Sequence, residues 1–210
     1  MVKVKICGIT NLRDALKAHE LGADFIGFIF FENSPRKIDT EKARIIIEDL
    51  PKDLLKTGLF LNQNHEEVES IAKRCHLDAL QLHGEEDPAY CAGFKNNFKV
   101  IKSFKVKDAQ SVEKADKYDT VDYYLFDTYV KGIPGGTGIN FDWDVLKGFP
   151  FKKPFFLAGG LKPENVAEAI KKVTPYGVDV SSGVEKSAGK KDYRLLKEFI
   201  DNAKRSQNTR

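Results

Sequence analysis

The stretch PFFLAGGLKPENVAEAIKKVTPYGVDVSSGVE, residues 154–185, contains the pattern that decides the fold. Pro154–Ala158 and Gly177–Ser181 are apolar runs of strand length, typical of parallel strands that are covered on both faces. Between them, Pro163–Val173 has apolar residues at helical spacing and a proline suited to a first turn. The stretch therefore predicts a strand, a helix and a second, parallel strand.

The same alternation of strand and helix continues along the whole chain, at about 26 residues per unit. The predicted strands are Val2–Cys7, Phe25–Phe31, Leu55–Leu61, Ala79–His83, Lys99–Phe104, Tyr123–Asp127, Pro154–Ala158 and Gly177–Ser181. The predicted helices are Asn11–Leu21, Thr40–Leu50, His65–Cys75, Pro163–Val173 and Lys191–Ala203, with weaker patterns in Lys107–Ala115 and Asp142–Leu146. Asn11 and Thr40 are predicted helix caps. We expect an α/β fold, a closed (β/α)8 TIM barrel, over the rival open α/β sheet.

The length of 210 residues is close to the lower limit for such a barrel. No linker or low-complexity run interrupts the pattern, so we expect a single catalytic domain over residues 1–204. Residues 205–210 are polar and are expected to fray.

Composition excludes several other classes of protein. The 34 Lys and Arg residues barely exceed the 31 Asp and Glu residues, and they are spread evenly, which argues against a nucleic-acid or membrane partner. The three cysteines, an odd number, suit a reducing compartment. No segment resembles a signal peptide or approaches the ~18 apolar residues of a membrane helix. We expect a cytoplasmic protein, either a monomer or a homodimer.

Polar and glycine residues collect after the carboxyl ends of the predicted strands, where barrel enzymes place their active sites. Gly159-Gly160 follows strand seven and Ser182-Gly183 follows strand eight. Backbone N–H groups in such loops bind phosphate, although a glycine pair can also simply permit a tight turn. Because the two motifs follow neighbouring strands, we favour a phosphate site over a simple turn.

Gly135, Gly136, Thr137 and Gly138 lie beyond strand six. They lack the Lys-Ser/Thr ending of a nucleotide-binding loop. We interpret them as a lid that closes over substrate, against the alternative of an inert flexible loop.

Three residues are candidates for proton transfer. Cys7 ends strand one, and it is either a buried apolar residue or a thiolate base. Asp127 ends an apolar run, where burial would favour a protonated carboxyl that can donate a proton. His83 ends strand four and is an equal rival on the residues alone. A metal site formed by the three is not supported, because no ligands are paired at short spacing.

Other polar residues are candidates for substrate contact. Arg36 could hold a carboxylate with two hydrogen bonds, or it could be an ordinary surface residue. Asp179 would repel a phosphate nearby, so we expect it to face a hydroxyl or an amine. Gln81, beside His83, is a further substrate-binding candidate.

These motifs together resemble phosphoribosylanthranilate isomerase, an enzyme family of tryptophan biosynthesis. The resemblance spans essentially the whole chain, and it rests on the following segments: Lys5-Ile6-Cys7-Gly8, Ser34-Pro35-Arg36, Gln81-Leu82-His83-Gly84, Phe126-Asp127-Thr128, Gly135-Gly136-Thr137-Gly138, Leu157-Ala158-Gly159-Gly160-Leu161 and Asp179-Val180-Ser181-Ser182-Gly183-Val184-Glu185. Each motif alone is weak, and their combination and order are specific.

The resemblance implies a (β/α)8 barrel that carries out an Amadori rearrangement of a phosphorylated small molecule. N-(5′-phosphoribosyl)anthranilate would become 1-(2-carboxyphenylamino)-1-deoxyribulose 5-phosphate without a metal or organic cofactor. Cys7 would be the general base and Asp127 the general acid, with His83 reduced to binding or support. Arg36 would contact the anthranilate end, and Gly159, Gly160, Ser182 and Gly183 would surround the phosphate.

Other phosphate-binding barrels are the alternatives. An indole-glycerol-phosphate synthase would need a lysine at a catalytic strand end, and a histidine-pathway sugar isomerase would have an aspartate where Cys7 stands. A non-catalytic phosphosugar sensor is a third reading, which both proton-transfer candidates argue against.

Overall fold

The computed structural model describes residues 1–128 and 143–206 and contains a closed barrel of eight parallel strands in the order β1 to β8. The strands are β1 Lys3–Cys7, β2 Phe25–Ile29, β3 Leu55–Phe60, β4 Ala79–Leu82, β5 Lys99–Val106, β6 Tyr123–Thr128, β7 Phe155–Leu157 and β8 Gly177–Val180. β8 pairs with β1, which closes the barrel. The predicted TIM barrel is confirmed, and the open sheet is excluded.

Helices cover the outside of the barrel. They are α1 Leu12–Glu20, α2 Thr40–Glu48, α3 His65–Arg74, α4 Pro88–Ala92, α5 Ala109–Glu113, α6 Val166–Val173 and α7 Tyr193–Arg205. Three 3-10 helices span Lys114–Lys117, Trp143–Leu146 and Ser182–Val184. After β8, a short antiparallel hairpin is formed by β9 Glu185–Ser187 and β10 Lys190–Lys191. Within the described ranges, no helix has both the length and the apolar character needed to cross a membrane.

Strand alternation sorts the side chains into two sets. On β1, Val4 and Ile6 face outward and join the large core beneath the helices. The intervening positions point into the barrel, where Phe25, Ile101 and Phe156 belong to a separate inner cluster. The polar members of the inward set lie towards the carboxyl ends of the strands, and this sorting is what positions the site.

Short polar side chains begin most helices, and they correct some predicted boundaries. Asn11 accepts a hydrogen bond from the Asp14 N–H, so its predicted capping role is confirmed. Asp39, one residue before Thr40, caps α2, because its carboxylate accepts from two backbone N–H groups. The prediction that Lys191 begins the last helix is also wrong: Lys191 ends the hairpin, and Asp192 caps α7.

At the amino-terminal end of the barrel, Asp24 joins three parts of the chain. Its carboxylate accepts hydrogen bonds from the Val4 N–H at 2.9 Å, Lys3 Nζ at 2.8 Å and Lys204 Nζ at 2.5 Å. Burial alone raises the pKa of this carboxyl, but the two ammonium groups outweigh it and hold the pKa below 3.8. Asp24 therefore ties β1 and α7 to the start of β2.

Candidate active site

A cavity of about 390 Å³ opens at the carboxyl-terminal ends of the strands. All of the side chains predicted for catalysis or substrate contact line it: Cys7, Arg36, Gln81, His83, Asp127 and Asp179. Ile29, Phe31, Leu59 and Leu61 supply an apolar wall. The structure thus brings together residues that are far apart in sequence, in a pocket of the size that small ligands use.

A second cavity of about 60 Å³ adjoins the first, and it is lined by the loops after β7 and β8. Gly159, Gly160, Ser182 and Gly183 surround it. Asp127, Asp179 and Ser181 line both cavities, so the two share a boundary. The predicted phosphate-binding residues therefore lie beside the predicted proton-transfer residues.

The smaller cavity is lined by backbone rather than by bulky side chains. Gly159 and Gly160 have φ values of 80° and 65°, a conformation that glycine adopts without steric cost. A Cβ added at Gly183 would lie 2.0 Å from the Leu161 carbonyl oxygen, so only glycine lets the two loops meet. The N–H groups of Gly160, Ser182 and Gly183 take no part in the backbone hydrogen bonds of the described chain. They are available to an anion.

Cys7 lies at the rim of the larger cavity and is 4% exposed. Burial raises the pKa of its thiol, and the Asp179 carboxylate acts in the same direction. The ammonium groups of Lys5 and Lys191 act in the opposite direction. In the absence of ligand the thiol form is therefore favoured, whereas a base requires the thiolate.

Asp127 is paired with the predicted rival, His83. Asp127 Oδ2 lies 3.4 Å from His83 Nε2 across the mouth of the barrel. On the other side of the ring, His83 Nδ1 is 2.9 Å from the Ser103 hydroxyl and 3.0 Å from the Gln81 amide nitrogen. Both groups can donate a hydrogen bond, so Nδ1 is the acceptor and the ring hydrogen sits on Nε2, facing the carboxylate. His83 thus supports Asp127.

Arg36 already has a carboxylate partner within the protein. Its Nε lies 3.0 and 2.9 Å from the two Glu185 oxygens, and an Nη lies 2.8 Å from Oε2. Glu185 also accepts a hydrogen bond from Lys191 Nζ at 2.9 Å. Burial alone raises the pKa of Glu185, yet these two cations hold it below its ordinary value. Arg36 is therefore held in place at the cavity wall by a buried partner and is no free surface residue.

Lys191 connects this ion pair to the ends of β1 and β8. Its buried Nζ donates to the carbonyl oxygens of Cys7 at 2.5 Å and Ser181 at 3.2 Å. Burial holds the pKa of Lys191 below its ordinary value, against the opposing effect of Glu185. The hairpin after β8 thereby fixes the backbone of the Cys7 strand end.

Asp179 also has a partner within the protein. Its Oδ1 lies 2.9 Å from Nζ of Lys5, which is completely buried inside the barrel. Asp179 still lines both cavities, so its expected contact with a substrate hydroxyl or amine stays a prediction.

The sequence reasoning assigned no role to Lys5, Ser103, Ser181, Glu185 or Lys191. Two of them could have been found from strand alternation, because residues two apart on a strand face the same side. Lys5 is two residues before Cys7, and Ser181 is two residues after Asp179. Nothing in the sequence indicated that Glu185 and Lys191 would return to the site, since this depends on the hairpin. Gly135, Gly136, Thr137 and Gly138 lie outside the described residues, as does the tail from 207.

No cluster of His, Cys, Asp and Glu side chains suited to a metal ion occurs in residues 1–128 and 143–206. A closed parallel barrel with polar side chains and a glycine-lined cavity at its carboxyl-terminal mouth defines a class: a (β/α)8-barrel enzyme with its active site at that face.

Comparisons with known proteins give the family. A sequence model for N-(5'phosphoribosyl)anthranilate (PRA) isomerase matches residues 4–202. The N-(5'-phosphoribosyl)anthranilate isomerase of Pelobacter propionicus is 50% identical over 212 residues, covering 100% of both chains. The crystal structure of phosphoribosyl anthranilate isomerase from Thermotoga maritima has a TM-score of 0.92 and 43% identity, covering 97% of this chain and 99% of that chain. The chain belongs to the phosphoribosylanthranilate isomerase family, which confirms the resemblance drawn from the motifs.

A further solved structure carries a ligand. It is a phosphoribosyl anthranilate isomerase in complex with reduced 1-(o-carboxyphenylamino)-1-deoxyribulose 5-phosphate. Its TM-score is 0.88 at 42% identity, and the match covers 97% of this chain and 99% of that chain.

Proposed function

We propose that this chain catalyses the Amadori rearrangement of N-(5′-phosphoribosyl)anthranilate to 1-(2-carboxyphenylamino)-1-deoxyribulose 5-phosphate, a step of tryptophan biosynthesis. The observation that carries the proposal is the shared boundary of the two cavities. It places a thiol and a carboxyl around one space and a glycine-lined anion site directly beside it. Family membership supports the same reaction.

The substrate has a phosphate at one end and an aromatic carboxylate at the other, and the two cavities suit this polarity. The phosphate binds in the smaller cavity, where backbone N–H groups donate hydrogen bonds to its oxygen atoms. The anthranilate ring packs on the apolar wall, with its carboxylate towards Arg36. The sugar then lies between Cys7 and Asp127.

Two buried polar atoms support a ligand in the larger cavity. The Ser181 hydroxyl and the Gln81 carbonyl oxygen are among the buried side-chain atoms of the described residues that have no hydrogen-bond partner, and both residues line this cavity. Buried polar atoms without partners are uncommon and costly in folded proteins. Hydroxyl groups of the sugar would satisfy both atoms.

Asp127 starts the reaction as a general acid. Its carboxyl gives a proton to the furanose ring oxygen, the bond from C1′ to that oxygen breaks, and the nitrogen lone pair forms a C1′=N double bond. The product of this step is an open-chain Schiff base. The pairing with His83 Nε2 holds the carboxyl in a fixed direction at the boundary of both cavities.

Cys7 completes the proton transfer as a general base. Its thiolate removes the hydrogen from C2′, the electrons form a C1′=C2′ double bond, and the C=N electrons return to nitrogen. The resulting enolamine then tautomerises: its hydroxyl proton is lost, C1′ gains a proton, and a ketone stands at C2′. The rearrangement conserves atoms and electrons, so it needs no oxidant or cofactor.

A fluorescence assay tests this proposal. Purified protein is mixed with freshly prepared phosphoribosylanthranilate in the presence of a chelator, and the loss of anthranilate fluorescence is followed, with the product identified by mass spectrometry. We expect turnover by the wild type, and a loss of at least about 1000-fold in kcat for Cys7→Ala and Asp127→Asn. Cys91→Ala, which changes a buried thiol outside the cavity, is the matched control. Absence of turnover by the wild type, or near-normal turnover by either variant, would contradict the corresponding assignment.

A further inference from the structure

Lys5 lies one inward position below Cys7 on the same strand. Residues two apart on a strand face the same side, and their Cα atoms are about 6.6 Å apart, within reach of a lysine stem. Lys5 is 0% exposed and does not line either cavity. Its ammonium group is therefore in the barrel interior, beneath the thiol.

The partner of Lys5 comes from the neighbouring strand. Lys5 and Asp179 are register partners in the pairing of β1 with β8, and Lys5 Nζ lies 2.9 Å from Asp179 Oδ1. Burial, the largest single effect, opposes the charge on this ammonium group, yet Asp179 and the Cys7 thiolate together outweigh it and hold the pKa of Lys5 above its ordinary value. Lys5 therefore stays charged at neutral pH.

Stability alone is a weak reason for a charged pair in this position. Two buried ions lose their hydration, and an apolar pair of similar volume often gives an equal or more stable protein. The neighbouring inward positions hold apolar side chains such as Phe25, which pairs in register with Lys5. A function in the site above therefore explains this charged pair better than a contribution to stability does.

The charges that act on the Cys7 thiol come from three elements. Lys5 on β1 and Lys191 on β10 favour the thiolate, and Asp179 on β8 disfavours it. Arg36, after β2, lies against the neighbouring Gly8, and the pair formed by His83 and Asp127 lines the same cavity. Lys5 has the larger favourable effect of the two lysines, and it lies on the same face of β1 as Cys7, two residues away.

We propose that Lys5 is a positioning residue for the proposed reaction: its buried ammonium group, paired with Asp179 and one inward position below Cys7, stabilises the thiolate that removes the substrate proton. The negative charge of Asp179 partly offsets the effect of the Lys5 ammonium group on Cys7. The inference rests on the proposed role of Cys7 as the general base.

The rate of alkylation of Cys7 against pH tests the inference on the free protein. Cys75→Ala and Cys91→Ala are introduced first, so that iodoacetamide reports on Cys7 alone. Lys5→Met should move the alkylation midpoint of Cys7 up by about 1–2 pH units, and Asp179→Asn should move it down. Lys102→Met is the matched control, because Lys102 is equally buried in the barrel wall and paired with Glu86 2.7 Å away. It should leave the midpoint unchanged.

If Lys5→Met does not fold, a second variant tests the inference. The combination of Lys5→Met with Asp179→Asn leaves no charge without its partner, and it should still raise the midpoint, by less than the single change does. The pKa of Cys7 that appears in the profile of kcat/KM against pH should rise with Lys5→Met by the same amount as the alkylation midpoint.

An unchanged midpoint in the folded Lys5 variant, or in the double variant when only that one folds, overturns the inference. A shifted midpoint with an unmoved profile of kcat/KM against pH also overturns it, because the coupling would then not serve the reaction. Alkylation requires no turnover, so this result is independent of the loss of activity in Cys7→Ala that tests the proposed function.

Discussion

His83 Nε2 and Asp127 Oδ2 face each other at 3.4 Å across the mouth of the barrel. Behind the ring, the Gln81 amide nitrogen lies 3.0 Å from Nδ1 and can only donate to it, which leaves Nε2 to face the carboxyl group. An imidazole N–H that faces a carboxyl group orients it and can donate a hydrogen bond to it after its proton has gone. In the proposed reaction, His83 would therefore act through Asp127, and the sequence alone could not separate the two roles.

Substitution of His83 should therefore lower kcat more than it raises KM. We expect His83→Gln to lower kcat by about 10- to 100-fold, which corresponds to the loss of a hydrogen bond to a charged group. Ser103→Ala keeps the imidazole and frees only its far side, so its loss should be smaller. Steady-state kinetics of both variants measure the difference. A wild-type kcat in His83→Gln would show that Asp127 works without this support.

Glu185 should affect both stability and substrate binding. Glu185→Gln leaves the buried Lys191 without its carboxylate and loosens Arg36, so we expect a loss of about 3 kcal/mol in unfolding free energy and a raised KM. Glu198→Gln removes an exposed pair with Arg194 on α7 and should cost less than about 1 kcal/mol. Urea unfolding and steady-state kinetics test both variants. Equal stability losses in the two would contradict the importance of the buried network.

Gly183 should control anion binding. A methyl group at this position would lie 2.0 Å from the Leu161 carbonyl oxygen and would force apart the loops around the smaller cavity. We expect Gly183→Ala to weaken binding of inorganic phosphate by about tenfold or more, a change of about 1.4 kcal/mol measured by titration calorimetry. Gly148→Ala, which has backbone strain but open space around it, should leave phosphate binding unchanged. Equal phosphate affinity in both variants would place the anion elsewhere.

Asp24 should contribute to stability in a pH-dependent way and have no effect on turnover. Because its pKa in the folded protein lies below 3.8, its contribution is complete above about pH 5 and is lost as the pH falls through 3.8 and below. Asp24→Asn should reduce the unfolding free energy at pH 7 by about 1–3 kcal/mol. The gap from wild type should shrink on acidification. A gap that widens as the pH falls would reverse the sign of this assignment.

The fold was predictable because every strand and most helices have their own local signal; the short helix α4 was not predicted. Continuous apolar runs, helix caps and glycines at strand ends are properties of neighbouring residues, and the eight predicted strands overlap the observed ones. The strand ends also indicated where the cavity would be. Asp39 was missed as a cap only because the adjacent Thr40 can perform the same function.

The charge network was not predictable from the sequence. The pairs formed by Arg36 with Glu185 and by Lys5 with Asp179 join residues separated by 149 and 174 positions. Such pairs depend on closure of the barrel and on the hairpin after β8, and no local pattern encodes either. A lysine two residues before a cysteine could have suggested a shared face, but its partner could not have been named.

Closure between β1 and β8 has a consequence for how the activity first appears in the cell. Cys7 emerges from the ribosome well before Asp179 and Lys191, because 184 positions separate it from Lys191. The Cys7 thiol therefore lacks these neighbours until β8 pairs with β1. Turnover then shows that the barrel has closed. Two fragments divided near Gly93 would each hold part of the site, so restored activity on mixing would measure their reassembly.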